Sequence, residues 1–357
     1  MNPGLLLLSL SLIAVAPAGL HAQVPCPPGD LNQYEGGWRP RPGTPARSQH
    51  RAPAGSYNAA IADATLDRIL GLLRDAYPRP AGGVAYFAKQ LHFSSPYLGL
   101  PFGYDLYVGH TGFFCTASHR LAESTESGVA INVDVNSFRS TGLLARVDSP
   151  SVPTAKGEIR LNDDGHGQYM VSRRRVYRIP VFAGQHRGVE YYTNRRHLSR
   201  PGEPPYEQWF VVRKPGAPMF RYVTRREYAD QFRQELSTTA AAQEPSTRRI
   251  SDDYLLAVER YLRDSDEQEL SRPVSEPLPF FPRDPDKPEV VFTEGDFAMV
   301  YLNLDFMDPG LPRHVPQFVA IRLSARGQPG TAAWELRFRE RISDGLDFQA
   351  LRNLIGR

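Results

Sequence analysis

Lysine is almost missing from this chain. Only Lys89, Lys156, Lys214 and Lys287 occur among 357 residues, so arginine carries nearly all of the positive charge. The formal net charge is +3, and the arginines are spread along the whole sequence. That excludes the concentrated basic face of a nucleic-acid binder, and no nucleic-acid partner is expected. Cysteine is scarcer still, with Cys26 and Cys115 alone and no C-x-x-C pair. No apolar run of membrane-spanning length follows residue 22, so the mature chain is expected to lack a transmembrane anchor. The signatures of common enzyme classes are missing too. There is no H-E-x-x-H helix, G-x-S-x-G elbow, P-loop or G-x-G-x-x-G turn, and no cofactor or metal is expected. These absences remove the easy enzyme classes; they leave open triads, which recur without local signatures.

What is present begins at the N-terminus. Leu5 to Ala16 form an apolar run of 12 residues, broken by Pro17 and Gly19 and followed by small residues up to Ala22. This is the layout of a secretory signal peptide, too short to be a stable bilayer anchor, although Met1 to Gly4 carry no Lys or Arg. The expectation is export to the periplasm or beyond, with cleavage near Ala22. The alternative is an uncleaved anchor or a buried helix. Cys26 follows Pro25, where a lipobox needs a small residue, so lipid attachment is not expected. In an oxidising compartment, Cys26 and Cys115 read as one disulfide closing a loop of nearly 90 residues, the alternative being two separate thiols.

Along the mature chain, residues 23–58 read as a Pro/Gly-rich leader and 59–271 as the main region. Residues 272–288 (RPVSEPLPFFPRDPDKP) read as a Pro-rich linker, and 289–357 as C-terminal strands with a closing helix. Leu66, Ile69, Leu70, Leu73 and Tyr77 share one helical face, with caps offered by Asp63 to Thr65 and stops at Pro78 and Pro80. Ile131, Val133 and Val135 alternate with Asn132 and Asp134 as a half-buried strand does. Three hairpins are expected, over 158–171, 176–193 and 208–223. Thr224 to Glu227 fit a capping box with a Val223–Tyr228 staple. Strands are expected at 289–293, 297–302, 317–323 and 333–339, then a short helix over 348–355. The fold class is α+β: antiparallel, hairpin-rich sheets with a few docking helices. Charge is segmental, with 14 basic against 7 acidic residues in 157–227 and 5 against 13 in 251–296. Faces that meet in the fold, or are simply solvated, account for this as well as separate partners do.

Two weak constellations hold residue types that do chemistry. His110 and His119, near Asp105 and Asp134, contain those of a metal site or of a general base in an exported hydrolase, although their spacing matches no ligand rule. Tyr191 and Tyr192, Arg195, Arg196 and His197, then Tyr206, Trp209 and Arg213 combine aromatic faces with forked guanidinium donors, as a groove for a glycan or peptide does, with Tyr192, Arg195, Arg196 and Trp209 as its candidate ligand contacts; core packing of the aromatics with arginine on the solvent face is the competing reading. Asp163-Asp164-Gly165 lacks the spaced ligands of a calcium loop and reads as a turn.

Trp209 to Val212 through Tyr222 to Tyr228, and Asn303 to Pro309 with Leu311-Pro312 and Pro316 to Phe318, resemble segments of a family of uncharacterised exported bacterial proteins. The resemblance covers about 45 residues. It implies export and a globular mature region, and it brings no activity or site residue. The expectation is a non-catalytic binding or interaction module with a protein or glycan ligand. An exported hydrolase built on His110, His119, Asp105 or Asp134 is the alternative, and a structural envelope component assembling through edge strands is a third.

Overall fold

The computed structural model describes residues 24–42, 58–91, 101–146, 151–154, 157–160, 176–193, 207–241, 245–276, 290, 292, 295, 297–325 and 333–357. The signal segment lies outside them. In chain order, an N-terminal strap carries a 3-10 turn (Leu31–Gln33) and strand β1 (Trp38–Pro40). Helix α1 (Ala59–Ala76) leads to three long strands, β2 (Gly83–Leu91), β3 (Tyr104–Cys115) and β4 (Leu121–Val135). Then come β5 (Ala145–Arg146), β6 (Ser151–Thr154), β7 (Gly157–Arg160), β8 (Val176–His186), β9 (Val189–Thr193), β10 (Glu207–Arg213) and β11 (Phe220–Tyr222). Helices α2 (Arg225–Ala241), α3 (Pro245–Asp264) and α4 (Glu267–Ser271) precede β12 (Ser275–Glu276), β13 (Phe297–Leu302) and β14 (Phe318–Ala325). Helices α5 (Ala333–Gly345) and α6 (Phe348–Arg352) close the chain.

Twelve strands form one large sheet in the order β1-β2-β3-β4-β14-β10-β9-β8-β13-β11, with β12 added to β13 and β5 to β8, while β6 and β7 pair as a separate two-stranded sheet. Every pairing in it is antiparallel except β1 with β2. The class is α+β, as the sequence implies.

Alternation along the strands places a core on each face of the sheet. On one face, Leu106 and Val108 of β3, Ile131 and Val133 of β4 and Ile321 of β14 meet Leu66, Ile69 and Leu73 of α1 and Phe338 and Ile342 of α5. All of these are fully buried, and each contributes about 1.5–3 kcal/mol by leaving water. On the other face, Tyr192, Trp209, Val211 and Phe318 pack with Ile179 and Val300 of the curled β8–β13 end. A third cluster joins α2 to α3 through Phe232, Leu236, Tyr254 and Val258.

The disulfide joins Cys26 to Cys115, with Cα atoms 5.8 Å apart. It fastens the strap beside the β3–β4 turn, where the Cys26 N–H donates to the His119 carbonyl at 2.9 Å. From there the strap runs to β1, whose Trp38 packs on the α1 face and donates its indole N–H to the Tyr77 carbonyl at 3.0 Å.

Several local expectations change. Helix α1 starts at 59 rather than at 63–65, because Asn58 caps it by accepting from the N–H groups of Ala60 and Ile61. The leader is structured over 24–42. Of the three hairpins, β8–β9 pairs as read and the one over 208–223 does not. Gly157–Arg160 pairs back onto Ser151–Thr154, while the stretch at 168–171 lies outside the described residues. Strands β10 and β11 part company across a Pro215–Pro218 connection, β10 pairing with β14 and β11 with β13. Residues 333–339 are helical instead of extended. Trp334, Leu336 and Phe338 mimic a strand's period of two. The buried face of α5 is actually Glu335, Phe338, Arg339, Ile342 and Ser343, and its polar members hide the helical period.

Candidate functional site

The four residues of the hydrolase reading occupy three places. His110 and Asp105 are both on β3, five residues apart, so about 17 Å of strand separates them and their side chains leave opposite faces. His110 belongs to the helix-covered face. It is fully buried, its ring stacks on Phe338 at 4.3 Å with 8° between planes, and Trp334 meets it edge-on at 4.9 Å. Neither ring nitrogen makes a well-formed hydrogen bond. Burial pushes its pKa down to about 4, opposed in lesser part by the nearby Gly83 main chain. A neutral, sealed imidazole of this kind packs as an aromatic ring.

Asp105 and Asp134 are direct neighbours across β3 and β4 on the opposite face, and both are buried. Asp134 accepts four hydrogen bonds: from the Ser140 N–H (2.9 Å) and hydroxyl (2.8 Å), and from the Thr141 N–H (2.7 Å) and hydroxyl (2.8 Å). Burial pushes its pKa up to about 6, with Asp105 adding to the rise and the Thr141 and Ser140 donors pulling against it. The Thr141 carbonyl in turn accepts the Trp209 indole N–H at 2.9 Å. Asp134 therefore anchors the turn after β4, which holds Trp209 in place. His119 is exposed at the tip of the β3–β4 connection with φ 54°, in the left-handed region. Among the described residues no three His, Cys, Asp or Glu side chains gather as metal ligands.

The aromatic constellation comes together in part. Tyr192 and Trp209 are cross-strand partners on β9 and β10, both more than nine-tenths buried. Arg195 and Arg196 lie outside the described residues. The Tyr192 hydroxyl donates to Glu190 Oε2 at 2.9 Å, and Arg213 Nε donates to Glu190 Oε1 at 2.8 Å. Burial, then the charge of Glu190, raises the Tyr192 pKa far above that of a free phenol, so it remains a neutral donor. Tyr222 is raised in the same way.

Two aromatics rise at this place to the surface. Phe182 is 43% exposed, with its ring 5.4 Å from that of Tyr192, and Tyr222 is 37% exposed. The arrangement is a buried phenol and indole as floor, two exposed rings above, and a fixed carboxylate–guanidinium pair. It offers stacking faces with no net charge beneath them, since the Arg213 fork is engaged by Glu190 and by the Lys214 and Ala217 carbonyls. Sequence reasoning placed Arg213 in this constellation and missed Phe182, Tyr222 and Glu190. The Glu190–Tyr192 spacing on one strand face was a visible signal. The contribution of β8 and β11 was not, since the bulge at Phe182/Gly184 and the β11–β13 pairing set it.

No family model, curated protein or solved structure matches the chain.

Proposed function

We propose that this is an exported, non-catalytic binding module and that the surface around Tyr192 takes its ligand, a glycan or a peptide segment of a protein. The observation that carries this reading is the placing of exposed Phe182 and Tyr222 beside buried Tyr192, whose hydroxyl is tied to the half-buried Glu190–Arg213 pair. Exposed aromatics backed by a rigid polar network supply contact area at low ordering cost, which is the character of binding anchors. Export is supported by the leading apolar segment and by the Cys26–Cys115 bond, which persists in oxidising compartments. Among the described residues no helix is long and apolar enough to cross a membrane. The hydrolase alternative requires a base with access to substrate. His110 has no such access, and the carboxylates stand on the other face of the sheet.

The test is complementation of a gene deletion by Phe182→Ser combined with Tyr222→Ser. Phe182 and Tyr222 are the most exposed aromatics here, at 43% and 37%, so the variant is expected to fold. Loss of complementation with a native circular dichroism spectrum is expected; full complementation would sink the assignment of this surface.

A further inference from the structure

Strand β8 is paired on both sides for only part of its length. Along its first half, Val176 to Pro180 pair with β13, and Tyr177 and Arg178 also pair with β5. Along its second half, Val181 to His186 pair with β9. Strand β13 begins at Phe297, opposite Pro180, so among the described residues no strand flanks Val181–His186 on the side away from β9. This open edge is about 20 Å long.

The pairing fixes which main-chain groups point outward. Arg187 and Gly188, with φ of 51° and 82°, form the two-residue turn of the β8–β9 hairpin. The pair that closes such a turn, His186 with Val189, exchanges hydrogen bonds, and the next pair, Gln185 with Glu190, does not. The Gln185 N–H and C=O are therefore turned to the open side. The bulge between Phe182 and Gly184 sets Phe182 and Gln185, three residues apart, on the face of Tyr192 and Glu190, and both are exposed.

A solvated edge blunted by its bulge is the competing explanation. The outer edges of this sheet are guarded in another way. At one end β1 brings Arg39 and Pro40, and at the other β11 is three residues long with Arg221 in its middle. Between Val181 and His186 there is no Lys, Arg, Asp, Glu or Pro, and an aromatic ring stands in solvent instead. That is the character of a contact site rather than of a guard.

We infer that the ligand of the Tyr192 surface is an extended, uncharged segment of a partner protein, which adds to this edge as a further strand beside β8. The inference rests on the reading of that surface as a binding site and chooses the peptide over the glycan. The outward main-chain groups of Gln185 hold the segment, and alternate side chains of the incoming strand fall on the face of Phe182. An apolar side chain there packs on the Phe182 ring. Glu190 and Arg213 cancel beneath it, so a charged side chain finds no counter-charge. A second copy of this chain is a poorer occupant. Two-fold pairing of β8 with itself would set bulge against bulge, while a free segment follows the local twist.

The test is complementation of the gene deletion by Gln185→Pro, which deletes the outward N–H at an edge position where proline is tolerated. Gln185→Ala, which keeps that N–H, is the control. With native circular dichroism spectra, Gln185→Pro should lose function and Gln185→Ala should restore it fully. Restoration by Gln185→Pro while the Phe182→Ser, Tyr222→Ser variant fails would overturn the inference and leave the surface assignment standing. Restoration by both would remove both readings. Failure of Gln185→Ala would also overturn the inference, since the side chain would then carry the contact. Should Gln185→Pro not fold, amide hydrogen exchange of the purified wild type decides. The Gln185 N–H should exchange near the rate of an unprotected amide, while the Val211 N–H, flanked by β9 and β14, is protected. A protected Gln185 N–H, whether in a monomer or in a dimer seen by sedimentation, would overturn the inference because the edge would already be occupied.

Discussion

Replacing His110 by phenylalanine should yield a protein that gains stability in acid relative to the wild type. His110 titrates near 4 in the folded state against an ordinary value of 6.5. A histidine whose folded pKa is depressed contributes its stability above the unfolded pKa and loses it as pH falls from 6.5 toward 4, because the unfolded chain takes the proton first. Between pH 7.5 and about 4.5 this costs roughly 2.5 kcal/mol. Asp134 works the other way. Its folded pKa of about 6 lies above the ordinary 3.8, so its contribution is full below 3.8 and is lost as pH rises through 6. Over the same interval, acidification returns roughly 2 kcal/mol. The two nearly cancel in the wild type. The His110→Phe ring would keep the stack on Phe338, remove two buried nitrogens without well-formed partners and delete the imidazole's titration. The variant should match or slightly exceed the wild type at pH 7.5 and exceed it by about 2–3 kcal/mol near pH 4.5. Urea unfolding followed by tryptophan fluorescence at both pH values measures this. Parallel pH dependence of the two proteins would refute the claim that His110 is buried and neutral.

Other expectations follow from the same contacts. Asp134→Ala strands four donors at the 140–141 turn and should cost about 3 kcal/mol or more in chemical denaturation, with the Trp209 fluorescence altered. Cys115→Ser opens an 89-residue separation and should cost about 4–5 kcal/mol in the chain-entropy model, read as the gap between oxidised and variant unfolding curves. Gly83→Ala should disrupt the start of the β2–β3 pairing, since a Cβ there would sit 1.9 Å from the Thr111 carbonyl oxygen; a variant with unchanged melting temperature would count against the register.

Legibility in the sequence followed the range of the interaction. Leu66, Ile69, Leu70 and Leu73 of the α1 stripe are buried as their spacing implies, with Tyr77 half-buried at the C-cap; Ile131, Val133 and Val135 of β4 face one core as read, but the strand is not half-buried, since Asp134 on its other face is buried too. The capping box forms in full: the Thr224 N–H donates to Glu227 Oε2 at 3.0 Å, and the Glu227 N–H donates to the Thr224 hydroxyl at 3.2 Å. Val223 and Tyr228 share a cluster, as the staple predicts. These signals act within a dozen residues. The partners of β10 and β11 could not be read, because β14 arrives more than a hundred residues after β10 and β13 about 80 after β11, and they displace the local hairpin. Helix α5 was masked by its own buried Glu335 and Arg339. The Tyr192 surface was half visible: Tyr192 and Trp209 stood out as aromatic, but Phe182 and Tyr222 reach the same place only through the β8–β9, β8–β13 and β13–β11 pairings.

The most direct test of the central claim, binding without catalysis, is complementation of the gene deletion by a protein carrying His110→Phe and His119→Ala together. Full restoration of function is predicted, because His110 serves packing and His119 stands apart on a turn. A folded double variant that fails to restore function would contradict the account and return the chain to the hydrolases.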